Sequence, residues 1–222
     1  MTYRLPQALQ TPDDTQALEY LRTYYGRNGG RAYTGSYFDD WGGEQDPDRF
    51  TAEDVVAVTF LSVVVPPMAA HRLLVEEAEL FTGLLKELGP DRDLVDEDQT
   101  IDPDWPGRRL NRALQDRLVG VGPTIASKLC ARKRPRMIPI YDSVVRDVTD
   151  ARLAQWEPLR NELRAGDGAL HERLLRLRDE VGLDERISAI RVYDVITWME
   201  GKQRNLRPTE PDEQPGAALP EE

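Results

Sequence analysis

The chain has little sulfur or imidazole chemistry to offer. Its 222 residues include one cysteine, Cys130, and two histidines, His71 and His171. A single cysteine excludes an internal disulfide framework and a cysteine-ligated iron–sulfur cluster. Two histidines a hundred positions apart leave little for a histidine-rich metal site. Positive charge is also scarce: 29 Lys and Arg stand against 40 Asp and Glu, a net charge of -11. Such a chain does not bind nucleic acid by bulk charge, nor does it adhere to anionic membranes that way. No apolar run approaches the roughly 18 residues of a membrane span. The opening MTYRLPQALQ lacks the apolar core of a secretory signal. The expectation is a soluble cytoplasmic protein with no membrane partner.

What is present is helical patterning. Asp13 and Asp14 precede a stripe of Leu18, Leu21, Tyr24 and Tyr25, followed by a glycine- and aromatic-rich loop from Gly26 to Phe50. Thr51 with Asp54 has the form of a capping box. The segment it opens, through Val55, Val58 and Leu61, is β-branched enough to suit a buried strand as well as a helix. Leu73 to Leu88 continues the 3- and 4-spaced stripe up to Gly89. Residues 87–104 carry eight acids against Arg92 alone and read as a solvated connection. Three further helices are expected at about 151–165, 168–181 and 185–201, separated by Gly166, Gly168 and Gly182. Nothing alternates strand with helix, so the fold class is all-α. The division is residues 1–50 as an N-terminal helix and loop packed on the core, 51–203 as the core, and 204–222 as a disordered acidic tail.

The informative stretch is 118–147, LVGVGPTIASKLCARKRPRMIPIYDSVVRD. Gly120 and Gly122 make a tight hairpin and Pro123 suits the first turn of the next helix. Amides around such a hairpin and helix start can face an anion, with DNA phosphate a natural ligand. Thr124 lies at the same helix start. The carbonyls of Leu118 and Val121 could hold a monovalent cation. From Arg117 to Tyr141 there is no acid but six bases: Arg117, Lys128, Arg132, Lys133, Arg134 and Arg136. Lys and Arg on phosphates supply sequence-independent affinity. The plainer reading is a solvated helix end with favourable dipole charges.

Leu118-X-Gly120-Val121-Gly122, Ala126, a proline, then Ile140-Tyr141-Asp142 resembles the helix–hairpin–helix DNA glycosylase superfamily, with its endonuclease III-like core. The FTAEDVVAVTFLSVVV segment is similar to that superfamily's apolar helix ending in a Leu-Ser element. Over most of its length the chain also resembles an actinobacterial family of uncharacterised activity. That family shares the YTGSYFD loop, the AVTFLSV helix and the ARKRPRMIPIYDSVV segment.

The glycosylase resemblance implies a helix–hairpin–helix helical fold that binds double-stranded DNA. It also implies that Asp142 stabilises the sugar cation as a damaged or modified base leaves a flipped nucleotide. Tyr141 would stack on a base or fill the core, and Val64 falls where the superfamily places its base-gap plug. Thr124 occupies the position of the lyase lysine, so the implied activity is monofunctional, without Schiff-base chemistry. No iron–sulfur cluster or other cofactor is implied, apart from the hairpin cation.

Asp142 also reads as a plain helix N-cap. The alternative function is a non-catalytic helix–hairpin–helix DNA-binding module, or a protein-interaction module whose partner meets the acidic surface. The Tyr33–Gly43 aromatics suit packing onto the core better than base stacking. His71 reads as structural, His171 as exposed, and Cys130 as a small buried hydrophobe.

Overall fold

A computed structural model describes residues 3–43, 46–151 and 155–206. Regular structure among them is entirely helical: α1 (Gln7–Gln10), α2 (Thr15–Tyr24), α3 (Ala52–Thr59), α4 (Pro67–His71), α5 (Ala78–Leu88), α6 (Pro106–Arg117), α7 (Pro123–Lys133), α8 (Ser143–Thr149), α9 (Trp156–Val181) and α10 (Ala189–Gln203). A π-helical turn, Arg72–Glu76, joins α4 to α5. The expected acidic tail lies outside the described residues from Arg207 onward.

Local chemistry sets the helix starts. The capping box at Thr51 forms, with Asp54 accepting the Thr51 N–H at 2.8 Å. It settles the β-branched segment as helix, because the orphan amides of the first turn find partners. Ser188 caps α10 by accepting the Arg191 N–H at 3.1 Å, so that helix begins a few residues later than its apolar pattern suggests. The long helix α9 is broken: Ala165 to Gly168 leave helical geometry, with Gly166, Asp167 and Gly168 at positive φ.

Two bodies of packing hold the chain together. In one, α10 runs against α8, α9 and α2, burying Val192, Tyr193, Val195 and Ile196. Gly201 is required there, since a Cβ would come within 2.2 Å of Val144 Cγ1. In the other, α7 packs on α6 and α3 and is buried nearly all round, from Ile125 to Ala131. Full burial of each such Leu or Ile contributes roughly 1.5–3 kcal/mol before entropy is counted.

Of the two histidines, the expectation for His171 is reversed. His71 is half exposed, with Nδ1 3.3 Å from Glu76, because α4 turns that side to solvent. His171 is buried on α9, with Nε2 4.0 Å from Asp93. Cys130 is buried as expected, and burial pushes its thiol up to about 12.

Candidate nucleic-acid interface

Helix α6 ends at Arg117 and the chain turns at once. Val121 N–H donates to the Leu118 carbonyl at 3.0 Å, closing the hairpin. One of the two carbonyls assigned to a cation is therefore committed to the turn. Gly120 sits at φ +81° against the ring of Pro66, where a Cβ would approach to 2.8 Å. Glycine is needed there on both counts. Gly122 has an ordinary φ of -87°, and nothing lies within 4 Å of where its Cβ would be.

Past Gly122 the start of α7 is open. Pro123 stands at N1 and no side chain caps the helix. The helical ladder opens with Ala126 N–H to the Gly122 carbonyl at 3.0 Å, so the amides of Thr124 and Ile125 come before it. Such a terminus carries partial positive charge and unclaimed donors.

The loop after α3 touches the hairpin through Pro66. Its Ser62 is at φ +60°. Val64 is 72% exposed, Val119 at the hairpin tip 85%, and Met68 71%. At the same end of α6, Arg117 Nε and Arg72 Nη2 lie 2.5 and 2.6 Å from the carboxylate of Glu77. Hydrogen bonds from Arg117, then Arg72, hold that carboxyl below its ordinary range despite some desolvation. Two guanidinium groups on one carboxylate leave one positive charge over, and both are 43% exposed.

The rest of the basic stretch does not join this face. Lys128 is buried, donating to the Leu61 carbonyl at 2.9 Å with Asp142 Oδ2 at 3.9 Å. Burial lowers its pKa, partly offset by Asp142. Lys133 is buried 2.5 Å from Asp54 and donates to the Asp46 carbonyl. Arg132 reaches Asp54 at 3.4 Å and the carbonyls of Phe38, Asp39 and Trp41. Arg134 is completely buried. It donates to the Leu85 and Gly89 carbonyls at the end of α5, to the Pro47 carbonyl, and to Asp48. It thus adds donors at a helix C-terminus, where the Leu85 carbonyl also takes the Gly89 N–H at 3.2 Å. Arg136 remains half exposed but is paired with Asp93. These cations fasten residues 38–41, residues 46–48 and α5 onto α7, and most of the expected basic surface is an interior framework.

Asp142 is also inside. Its Oδ1 accepts the Val145 N–H at 2.9 Å, making it the N-cap of α8, and its residue is 5% exposed. Tyr141 is half buried and lines a cleft beside α7. The structure thus gathers Gly120, Gly122, Thr124 and Val64 around two touching turns. It withdraws Asp142, Lys128, Arg132, Lys133 and Arg134 from that face.

The sequence reading passed over two residues. Asp54 collects the charge of Lys133 and Arg132; its one signal was the unusual Asp at the third position of the capping box. Asp194 is buried, with Oδ2 accepting the Ile140 N–H at 3.0 Å and Oδ1 without a partner. Burial raises it well above the ordinary carboxylate range, and no motif announced it.

The model of a family of unknown function, DUF6308, matches residues 17–201. The chain belongs to that family. The match runs from α2 to the end of α10 and takes in both turns and the cleft. No curated protein and no solved structure matches the chain. Among the described residues there is no cluster of three or more His, Cys, Asp or Glu suited to a metal ion. No described helix is long and apolar enough to cross a membrane.

Proposed function

We propose that this protein binds DNA through the α6–hairpin–α7 unit and leaves the DNA uncut. The observation that carries this reading is the uncapped start of α7 behind Gly122, open to solvent where a phosphate oxygen can meet two backbone amides. Arg117 and Arg72 supply the surplus positive charge beside it. Val64 and Val119 supply apolar contact with sugar or groove. Amides and two arginines suffice for a modest number of phosphate contacts, which suits a chain of net charge -11.

A second reading, hydrolysis of an N-glycosidic bond, is favoured by one observation. Asp142 is a desolvated carboxylate beside a lysine whose pKa burial lowers. Such a carboxylate favours a developing sugar cation. Against it, the carboxylate is spent on capping α8 and is closed off from solvent.

A duplex carrying a pyrrolidine abasic analogue, positively charged where a glycosylase transition state is charged, separates the two readings. Equal affinity for the analogue and the unmodified duplex is expected. A strong preference for the analogue, lost in Asp142→Asn, would replace the first reading with the second.

A further inference from the structure

A cleft of about 300 Å³ opens beside α7 at Pro123 and Ser127, at the lower end of the range in which small ligands are held. Its floor is Ser127 and Tyr141, one wall is the polar face of α6, and the other is the start of α9 at Gln155 and Trp156.

Three features of this cleft point to a ligand. Gln155 is buried, and its Nε2 donates to the Ile140 and Pro139 carbonyls at 2.9 and 3.4 Å. That fixes the amide orientation and leaves Oε1 as an acceptor, which is buried and has no partner. An unmet buried acceptor costs about 1–3 kcal/mol, a cost that an N–H from a bound molecule would remove. Trp156 borders the same cleft as a largely buried ring, with the Arg108 guanidinium carbon 5.3 Å over its centroid and Trp105 packed against it at 5.4 Å. Arg108 and Arg112 line the cleft beside Asp116, with Asp102 and Glu157 close enough to act on Arg108, so the cleft offers two guanidinium groups without a large surplus of charge. Arg108 spends Nε on the Ile101 carbonyl, and Arg112 makes one long contact of 3.4 Å to the Pro103 carbonyl.

We infer that this cleft binds a nucleoside monophosphate. A base takes the place of the Arg108 guanidinium over Trp156, as that side chain turns to the phosphate, and donates an N–H to Gln155 Oε1. The phosphate meets Arg108 and Arg112, whose planar groups suit phosphate oxygens. Asn111 and Gln115 line the α6 wall; Gln115 Nε2 donates to Asn111 Oδ1 at 2.7 Å and Asn111 Nδ2 to Cys130 Sγ at 3.9 Å, which leaves Gln115 Oε1 to accept from a base or ribose edge. The small volume admits one nucleotide and excludes a folded polymer. The cleft takes its charge from Arg108 and Arg112 and not from the Arg117–Glu77–Arg72 group, and it meets the DNA reading only at Pro123, which lines the cleft and opens α7.

The test is titration of the full chain with AMP, GMP, CMP and UMP, followed by tryptophan fluorescence, which Trp156 makes responsive. Inorganic phosphate and the free nucleosides are the comparison ligands. At least one nucleotide is expected to give a saturable change with micromolar Kd. Arg112→Glu, at an exposed position and harmless to the core, is expected to weaken it tenfold or more, and Arg117→Ala to leave it unchanged. Tyr141→Phe keeps the ring and is expected to change Kd less than threefold, which checks that the cleft is intact in the variants. The inference is overturned if no nucleotide gives a saturable change up to millimolar concentration. It is equally overturned if inorganic phosphate binds as tightly as the nucleotides, or if Arg112→Glu binds like the wild type.

Discussion

Lys133 Nζ lies 2.5 Å from Asp54 Oδ2, and the two side chains are 2% and 1% exposed. An ammonium and a carboxylate so fully removed from water are held by each other and by fixed dipoles. Asp54 is further tied to the Thr51 amide and Arg132, and Lys133 to the Asp46 carbonyl. The pair joins the start of α3 to the end of α7, so charge that looks like a ligand site in the sequence is a fastening inside the fold.

Removing one partner of this pair is costly, because the other is left buried and uncompensated. Asp54→Ala is expected to lose roughly 3–5 kcal/mol of stability in urea unfolding. The double variant Asp54→Leu with Lys133→Met is expected to regain only part of that loss, because the Thr51 amide and Arg132 still lack the carboxylate. A single variant as stable as the wild type would show that the pair contributes nothing.

Asp142 separates two roles by its substitutions. Asp142→Ala removes both the α8 cap and the counter-charge of Lys128, and is expected to cost about 3 kcal/mol or more. Asp142→Asn keeps an oxygen for the Val145 amide and is expected to cost about half as much. Thermal unfolding of the two variants reads the difference. Equal losses would mean that capping is not part of the role of this residue.

Asp91 gives the fold a pH dependence. Burial raises its carboxyl from 3.8 to about 6, against the opposing Arg136 amide and nearby Arg134. Between those values the folded state holds the proton more tightly than the unfolded chain. The stabilisation is therefore complete below about pH 4 and is lost as pH rises through about 6. Its full size is up to about 3 kcal/mol. Asp91→Asn is expected to remove this decline, and urea midpoints at pH 4 and pH 6.5 would show it. An unchanged slope would mean that Asp91 titrates normally.

The sequence made some of this legible and hid the rest for physical reasons. Local signals carried well: the Thr51–Asp54 box, Asp142 at a helix start, and the glycines around 166–168 act through neighbouring residues. The two-glycine hairpin belongs to the same class. Orientation of the basic stretch did not carry. Arg132 finds Asp54 across 78 positions and Arg134 finds Asp48 across 86, and no local pattern records partners so distant. His171 was hidden in the same way: it is buried on α9 with Nε2 4.0 Å from Asp93, a residue of the acidic connection. Several acids of that connection are likewise taken up by the core, with Glu97 buried beside Arg92 and Asp93 paired with Arg136.

The central claim is that DNA is gripped at the hairpin by backbone amides with help from Arg117 and Arg72. Its most direct test is affinity for an unmodified duplex as a function of salt, in the wild type and in Gly122→Glu. The substitution adds a carboxylate at the start of α7, where the backbone φ is ordinary and the space is empty, so the fold is retained. The account predicts wild-type binding whose logarithm falls with log salt at a slope of roughly -2 to -4, near 0.9 per phosphate contacted. It predicts at least a hundredfold loss in Gly122→Glu with an unchanged melting temperature. Wild-type binding that ignores salt, or a Gly122→Glu protein that binds as well as the wild type, would contradict it.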